Sequence, residues 1–181
     1  KVDLEFRNGA ININKFNLIG FSIGALISQH FASQYYDKKN KLIIIASVHK
    51  RTHEQIIKVR NRYNTALRRE NITNDSINRW FNKEYLEKNP NVYEFFSNIL
   101  EKKKNEDFLP AYKAFVESEN HTLNFSNFKM PTLIMTGEND VGSTPDMSKM
   151  LHKEIENSEL YIIPIAKHMA TFESANIVNS E

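Results

Sequence analysis

The chain has 181 residues, of which 40% are hydrophobic and 25% charged, and its formal net charge is +2 at pH 7. This length can bury the core of one domain, and the composition excludes a disordered chain. No basic stripe interleaved with aromatic residues is present, and the longest apolar runs, such as residues 42–48, are far too short for a membrane span. Neither nucleic acid nor a membrane is therefore an expected partner.

The chain contains no cysteine, which removes disulfides, thiolate metal sites and a cysteine nucleophile together. The absence of disulfides fits a reducing compartment, so we expect a cytoplasmic protein.

The first predicted elements are two strands with a helix between them. The first dozen residues before them are polar and compatible with the end of a helix leading into a turn. Residues 16–20 predict a short buried strand, and residues 23–36 predict a helix because apolar residues recur at three- and four-residue steps. Residues 41–48 are the clearest strand, with the continuous apolar core of a parallel strand that is covered on both faces. This order predicts a right-handed βαβ unit.

A charged, helical segment rich in aromatic residues follows, at residues 49–128. Asn89-Pro90 and Leu109-Pro110 punctuate it, which favours several short helices over one long helix. The spacing of its aromatic residues favours packing between helices over contact with a ligand.

The α/β pattern then returns with a predicted strand at residues 131–137. Residues 145–156 predict a helix, with Pro145 in the first turn, where no amide donor is needed. Residues 160–164 predict the last strand, and residues 171–178 begin another helix. The sequence therefore predicts a parallel α/β domain that is interrupted by a helical insertion.

The segment Gly20-Phe21-Ser22-Ile23-Gly24 has the G-x-S-x-G spacing of a nucleophile elbow between strand and helix. The sharp reversal requires a strained backbone at Ser22, and the flanking glycines allow neighbouring backbones to approach closely. The amide of Ile23 then points the same way as the serine hydroxyl and is a candidate oxyanion donor. Taken alone, the pattern fits equally well a glycine-rich turn in which Ser22 caps the helix.

A serine nucleophile needs a base, and the base needs a group that orients it. His168 follows the last predicted strand, and Asp140 follows the strand before it, so both are expected at the sheet edge that also holds Ser22. Glu138 and Asp146 are rival acids, but Glu138 is closer to the strand and Asp146 falls in the next helix. The alternative is a loop aspartate bonded to its own backbone beside a surface histidine.

No metal site is predicted from the remaining histidines. None forms a H-x-x-x-H pair with an acidic partner, so a zinc site is not supported. These residues are His30, His49, His53, His121 and His152.

Residues 17–24, 131–140 and 166–169 closely resemble the α/β-hydrolase superfamily, especially its enol-lactonase-like and carboxylesterase-like members. Residues 141–145, after the acid, are also similar to this subgroup. The resemblance spans nearly the whole chain and is weakest in the helical insertion. The chain order Ser, Asp, His is also that of the α/β-hydrolases.

The resemblance implies an α/β-hydrolase fold, a parallel sheet flanked by helices. Residues 1–48 and 129–181 would form the core, and residues 49–128 a helical cap or lid whose aromatics wall an apolar pocket. The first four strands of the family have no counterpart in this chain, nor does the loop that supplies the second oxyanion donor. We therefore expect the chain to be the C-terminal part of a longer protein.

The predicted function is that of a serine hydrolase that cleaves a small-molecule carboxylic ester or lactone. Ser22, His168 and Asp140 would form the catalytic triad, an acyl-enzyme would form, and the Ile23 amide would bind the oxyanion. The reaction requires no metal and no organic cofactor. The alternative is a non-catalytic ligand-binding or interaction protein that keeps the hydrolase pocket.

Overall fold

The computed structural model describes residues 15–35 and 39–181. Its four strands are Phe16–Phe21 (β1), Lys39–Ile45 (β2), Thr132–Gly137 (β3) and Ser158–Ile163 (β4). They form one sheet in the order β1-β2-β3-β4, and every neighbouring pair is parallel. Because the strands run the same way, their carboxyl ends meet at one edge of the sheet.

The helices follow the predicted alternation with the strands. The helix that joins β1 to β2 is Ile23–Gln34 (α1). Five helices lie between β2 and β3: His53–Leu67 (α2), Thr73–Trp80 (α3), Lys83–Lys88 (α4), Pro90–Lys102 (α5) and Asn105–Val116 (α6). Two 3-10 turns, Ser118–Asn120 and Phe125–Asn127, complete this segment. The remaining helices are Pro145–Glu154 (α7) between β3 and β4, then Ala170–Glu173 (α8) and Ala175–Ser180 (α9).

The continuous apolar run of β2 has a direct structural cause, since the sheet is covered on both faces. Ile44 and Ile134 belong to the cluster packed under α1 and α7, whereas Ile45 and Met135 belong to the cluster on the opposite face. Successive residues of a strand point to opposite faces, so both must be apolar. This is the arrangement that the sequence pattern predicts.

A third apolar cluster lies among the helices of the insertion, around Ile77, Phe81 and Leu100. Phe21, at the end of β1, and Met169 join it to the sheet. The insertion therefore packs over the edge at which the strands end. None of the helices in the described ranges is long and apolar enough to cross a membrane.

Local sequence signals account for where two of these helices begin. Thr52 and Gln55 form a reciprocal capping box at the start of α2, in which each side chain bonds the other residue's backbone amide. Thr144 accepts a hydrogen bond from the amide of Met147, and Pro145 occupies the first position of α7, as expected.

Several predicted boundaries differ from the structure. The strand expected at residues 41–48 ends at Ile45 because Ala46, with φ 51°, turns the chain away. The helix expected at residues 171–178 is divided at Ser174, whose φ of −131° is not helical. Pro110 lies inside α6 rather than ending a helix.

The predicted helix at residues 23–36 ends at Gln34. The expectations for the first dozen residues and for residues 36–38 lie outside the described residues. The division into a core and a cap at residues 49 and 128 stays a prediction.

Candidate active site

Ser22 lies in the turn between β1 and α1, at the carboxyl edge of the sheet. Its φ of 55° and ψ of −119° are unusual for a residue with a side chain, as the elbow pattern predicts. The amide of Ser22 donates to the carbonyl of Ile45 at 2.9 Å, which ties the turn to the end of β2. The neighbouring strand therefore holds the strained turn in place.

The two glycines of the pattern have different roles. A Cβ on Gly20 would lie 2.4 Å from the carbonyl oxygen of Gly24 and 2.7 Å from the Cα of Ala25, so only glycine fits. A Cβ on Gly24 would meet no described atom within 4 Å. The prediction of a close backbone approach is confirmed for Gly20 and is wrong for Gly24, whose Cα faces open space.

The structure brings Ser22, His168 and Asp140 into one chain of hydrogen bonds. His168 Nε2 lies 3.0 Å from Ser22 Oγ, and His168 Nδ1 lies 2.7 Å from Asp140 Oδ2. An ionised carboxylate can only accept a hydrogen bond, so His168 carries its proton on Nδ1 and donates it in a hydrogen bond to Asp140. Nε2 is then free to accept from the hydroxyl of Ser22. These are the contacts that a serine activated by a histidine base requires.

Backbone amides fix the carboxylate of Asp140. Its Oδ1 accepts from the amides of Gly142 at 2.8 Å and Ser143 at 2.9 Å, and its side chain is only 1% exposed. A buried carboxylate needs such partners, because each unpaired oxygen would be costly. Oδ2 is thereby held towards His168.

The rival acids do not reach the imidazole. Glu138 Oε2 instead accepts from the amide of Ile165 at 2.9 Å. Asp146 lies in α7, where its exposed carboxylate pairs with Lys149 at 3.0 Å.

The loop that carries His168 packs closely against the end of β3. A Cβ on Gly137 would lie 2.3 Å from the carbonyl oxygens of both Ala166 and Lys167. The amide of Asn139 donates to the same Ala166 carbonyl at 2.9 Å. The sequence reasoning missed this requirement, although a glycine as the last residue of a predicted strand was a visible signal.

The helical insertion also holds this loop. The amide of Met169, next to His168, donates to the carbonyl of Trp80 at 2.9 Å. Glu173 accepts from the amide of Lys167 at 2.7 Å and also from the amide of Asn82. His168 is thus positioned by the sheet and by the insertion together.

A cavity of about 400 Å³ opens above Ser22 and His168. Ile23 lines it at the start of α1, where its amide has no acceptor within the helix. Most of the wall is apolar. The insertion contributes Ile72, Trp80, Phe96, Leu100, Phe108, Ala111, Tyr112 and Phe115, and the loop after β4 contributes Met169. Several of these aromatics also pack on one another, so helix packing and contact with the cavity are not exclusive here.

Charges on or near this wall act on Tyr112. Burial raises the pKa of the Tyr112 hydroxyl, while the positive charges of Arg62 and Arg51 oppose that rise.

Within the described ranges, no group of three or more His, Cys, Asp or Glu side chains is arranged to hold a metal ion.

The family model described as the α/β-hydrolase fold matches residues 9–175 of the chain. The chain belongs to this family. The fold class expected from the sequence, an α/β-hydrolase fold with a parallel sheet flanked by helices, is therefore confirmed.

Two curated relatives, both from Acinetobacter baylyi, match 93% of the α/β-hydrolase chain. One is (E)-2-((N-methylformamido)methylene)succinate hydrolase, 26% identical over 171 residues. The other is 3-oxoadipate enol-lactonase 2, 22% identical over 169 residues. The chain spans 64% and 62% of the lengths of these proteins, respectively.

Among solved structures, a thermophilic esterase from Thermogutta terrifontis superposes with a TM-score of 0.82 at 24% identity. The match covers 98% of this chain and 67% of the esterase chain. At that level of identity the superposition supports the fold alone.

Proposed function

We propose that the chain carries the catalytic site of a serine hydrolase that cleaves a carboxylic ester or lactone. The observation that supports this most is the hydrogen-bonded series from Ser22 Oγ through His168 to Asp140. It lies at the base of a largely apolar cavity, where an acyl group could bind close to the hydroxyl.

In the first step, Ser22 Oγ attacks the carbonyl carbon while His168 Nε2 takes the hydroxyl proton. The negative charge of the tetrahedral intermediate develops on the former carbonyl oxygen. The amide of Ile23, at the positive end of α1, donates a hydrogen bond to it. Asp140 stabilises the imidazolium and keeps the ring in its tautomer.

When the intermediate collapses, the bond to the alkoxy oxygen breaks and His168 returns its proton to that oxygen. The products are an acyl-enzyme on Ser22 and an alcohol, which in a lactone remains attached to the acyl chain. Water then attacks the ester of Ser22 as His168 removes a proton from it. The acid leaves, and the hydroxyl of Ser22 is restored.

Two further observations support ester or lactone cleavage. The curated relatives include a hydrolase and an enol-lactonase, and a structurally similar chain is an esterase. The nucleophile is a serine hydroxyl, and Asp140 is directed at the imidazole rather than at the cavity as an attacking carboxylate.

The test is covalent labelling of the folded chain with a fluorophosphonate, followed by mass spectrometry of the modified peptide. We expect labelling at Ser22 that is lost in Ser22→Ala and His168→Ala. Ser76 lines the same cavity, but its hydroxyl donates to the carbonyl of Ile72, so Ser76→Ala is the matched control and should label normally.

Turnover of neutral p-nitrophenyl esters and of simple lactones then connects labelling to function. We expect hydrolysis by the wild-type chain and none by Ser22→Ala. A wild-type chain that is folded by circular dichroism but unlabelled at Ser22 would contradict the proposal. A non-catalytic protein that retains a ligand-binding cavity would then be the better description.

A further inference from the structure

Two arginines interrupt the apolar wall of the catalytic cavity. Arg62 projects from α2 and Arg79 from α3, and both side chains are partly buried. They also line a second cavity of about 460 Å³ that adjoins the first. The two guanidinium groups therefore lie where the catalytic cavity meets its neighbour.

Neither guanidinium forms an ion pair or a side-chain hydrogen bond within the described residues. The ion pairs and hydrogen bonds found in those parts of the chain engage neither Arg62 nor Arg79. Arg51, which lines the second cavity, differs: it pairs with Glu119 at 2.6 Å and donates to the carbonyl of Phe115. An arginine with a structural role is therefore paired in this region, whereas these two are not.

The described residues around the two cavities offer almost no negative charge. Asp140 is the one acid among those that line the catalytic cavity, and its oxygens already bind His168 and two amides. The described lining of the second cavity includes Arg51 and Lys58 beside the two arginines, and no acid. Arg51 and Lys58 are paired with Glu119 and Glu54, so it is at Arg62 and Arg79 that an anion would meet cations without displacing an internal partner.

The local backbone leaves room for one of these groups. A Cβ on Gly142, in the loop after Asp140, would lie 2.9 Å from a terminal nitrogen of Arg79. A side chain at this position would push the guanidinium away. Glycine thus allows Arg79 to pack beside the catalytic loop.

We propose that Arg62 and Arg79 bind a carboxylate of the substrate, so that the ester or lactone that is cleaved carries a second, ionised acid group. This inference rests on the proposed hydrolase function. A guanidinium presents a planar fork of donors that matches a carboxylate, and partial withdrawal from water strengthens the pair. The sheet supplies the reacting groups, and the insertion supplies the site for the anion.

The test compares two esters of similar size with the same leaving group, neutral p-nitrophenyl butyrate and the anionic mono-p-nitrophenyl ester of succinic acid. In Arg62→Gln and Arg79→Gln, we expect kcat/KM for the anionic ester to fall by about tenfold or more, as expected for a lost charge-assisted bond. The loss with the neutral ester should be clearly smaller, because this ester has no carboxylate for the guanidinium groups to bind. The matched control is Arg60→Gln, which replaces an exposed arginine on the same helix as Arg62 and should alter neither rate.

In variants that are folded by circular dichroism, equal losses with both esters, or no loss with either, would overturn the anion site and leave the hydrolase function standing. The neutral ester also reports folding, because a misfolded variant loses both rates. If neither ester is turned over, a calorimetric measurement of succinate binding tests the anion site separately. If succinate binds to the wild type and not to Arg79→Gln, the anion site is supported even though the hydrolase function is not. If succinate does not bind to the wild type, the anion site is refuted.

Discussion

Replacing Gly137 with alanine should displace the histidine of the site without touching any reacting atom. The new Cβ would lie 2.3 Å from two carbonyl oxygens, at Ala166 and Lys167, so the loop must retreat by about 0.7 Å before the contacts reach 3.0 Å. A hydrogen bond of 3.0 Å between His168 and Ser22 does not survive much beyond about 3.5 Å. A misplacement approaching 1 Å costs up to about a hundredfold in rate, so we expect kcat/KM to fall by about 30- to 100-fold.

The assay is hydrolysis of p-nitrophenyl butyrate, with urea unfolding of the same samples to show that the variant is folded. Overpacking of this kind costs about 1–3 kcal/mol of stability, which many domains tolerate. Gly24→Ala is the matched control, because no described atom lies within 4 Å of its new Cβ and alanine favours the helix. A folded Gly137→Ala with a wild-type rate, or a Gly24→Ala that is equally impaired, would refute the reasoning.

Three further changes test other parts of the structure. Asp140→Asn should lower kcat by about 10⁴-fold through the wrong imidazole tautomer, as in established serine triads, and should slow fluorophosphonate labelling of Ser22, while an unchanged near-UV spectrum shows that the fold is intact. Glu119→Gln should cost about 2–3 kcal/mol in urea unfolding, because it leaves buried Arg51 without its carboxylate, whereas Glu117→Gln on the exposed surface should cost almost nothing. Burial lowers the pKa of His49 below 6.5, so the unfolded chain binds its proton more readily and stability falls as the pH drops from about 7 to about 5. His49→Gln should reduce this decrease in the free energy of unfolding, measured by urea unfolding at each pH. An unchanged dependence on pH would contradict the prediction.

The sequence predicted the parts of the fold that local patterns determine. A continuous apolar run such as residues 41–48 needs apolar partners on both faces, and this requirement indicates a covered parallel strand before any coordinates are known. The elbow at Ser22 follows in the same way, since the turn geometry restricts which residues fit. Asp140 and His168 each follow a predicted parallel strand, and this position indicated that both lie at the same edge of the sheet.

What the sequence could not predict depends on distances between segments far apart in the chain. The role of Gly137 arises because the loop at residues 164–167 passes 2.3 Å from where its Cβ would be. Arg62 and Arg79 belong to charged helical segments, and only the packing of the insertion shows that they are turned into the cavity. Pattern reasoning treats such arginines as solvated because most of them are.

The division of the site between sheet and insertion has a consequence for how substrate preference can change. Ser22 and Asp140 are positioned by the ends of strands, so substitutions in the insertion alter the cavity wall and its charges while leaving these two groups in place. His168 is different, because the next residue bonds the carbonyl of Trp80 and the residue before it bonds Glu173, which in turn holds the insertion at Asn82. Repacking around Trp80 and Asn82 should therefore affect rate as well as preference. Arg62 and Arg79, whose side chains take no part in these contacts, should chiefly affect preference.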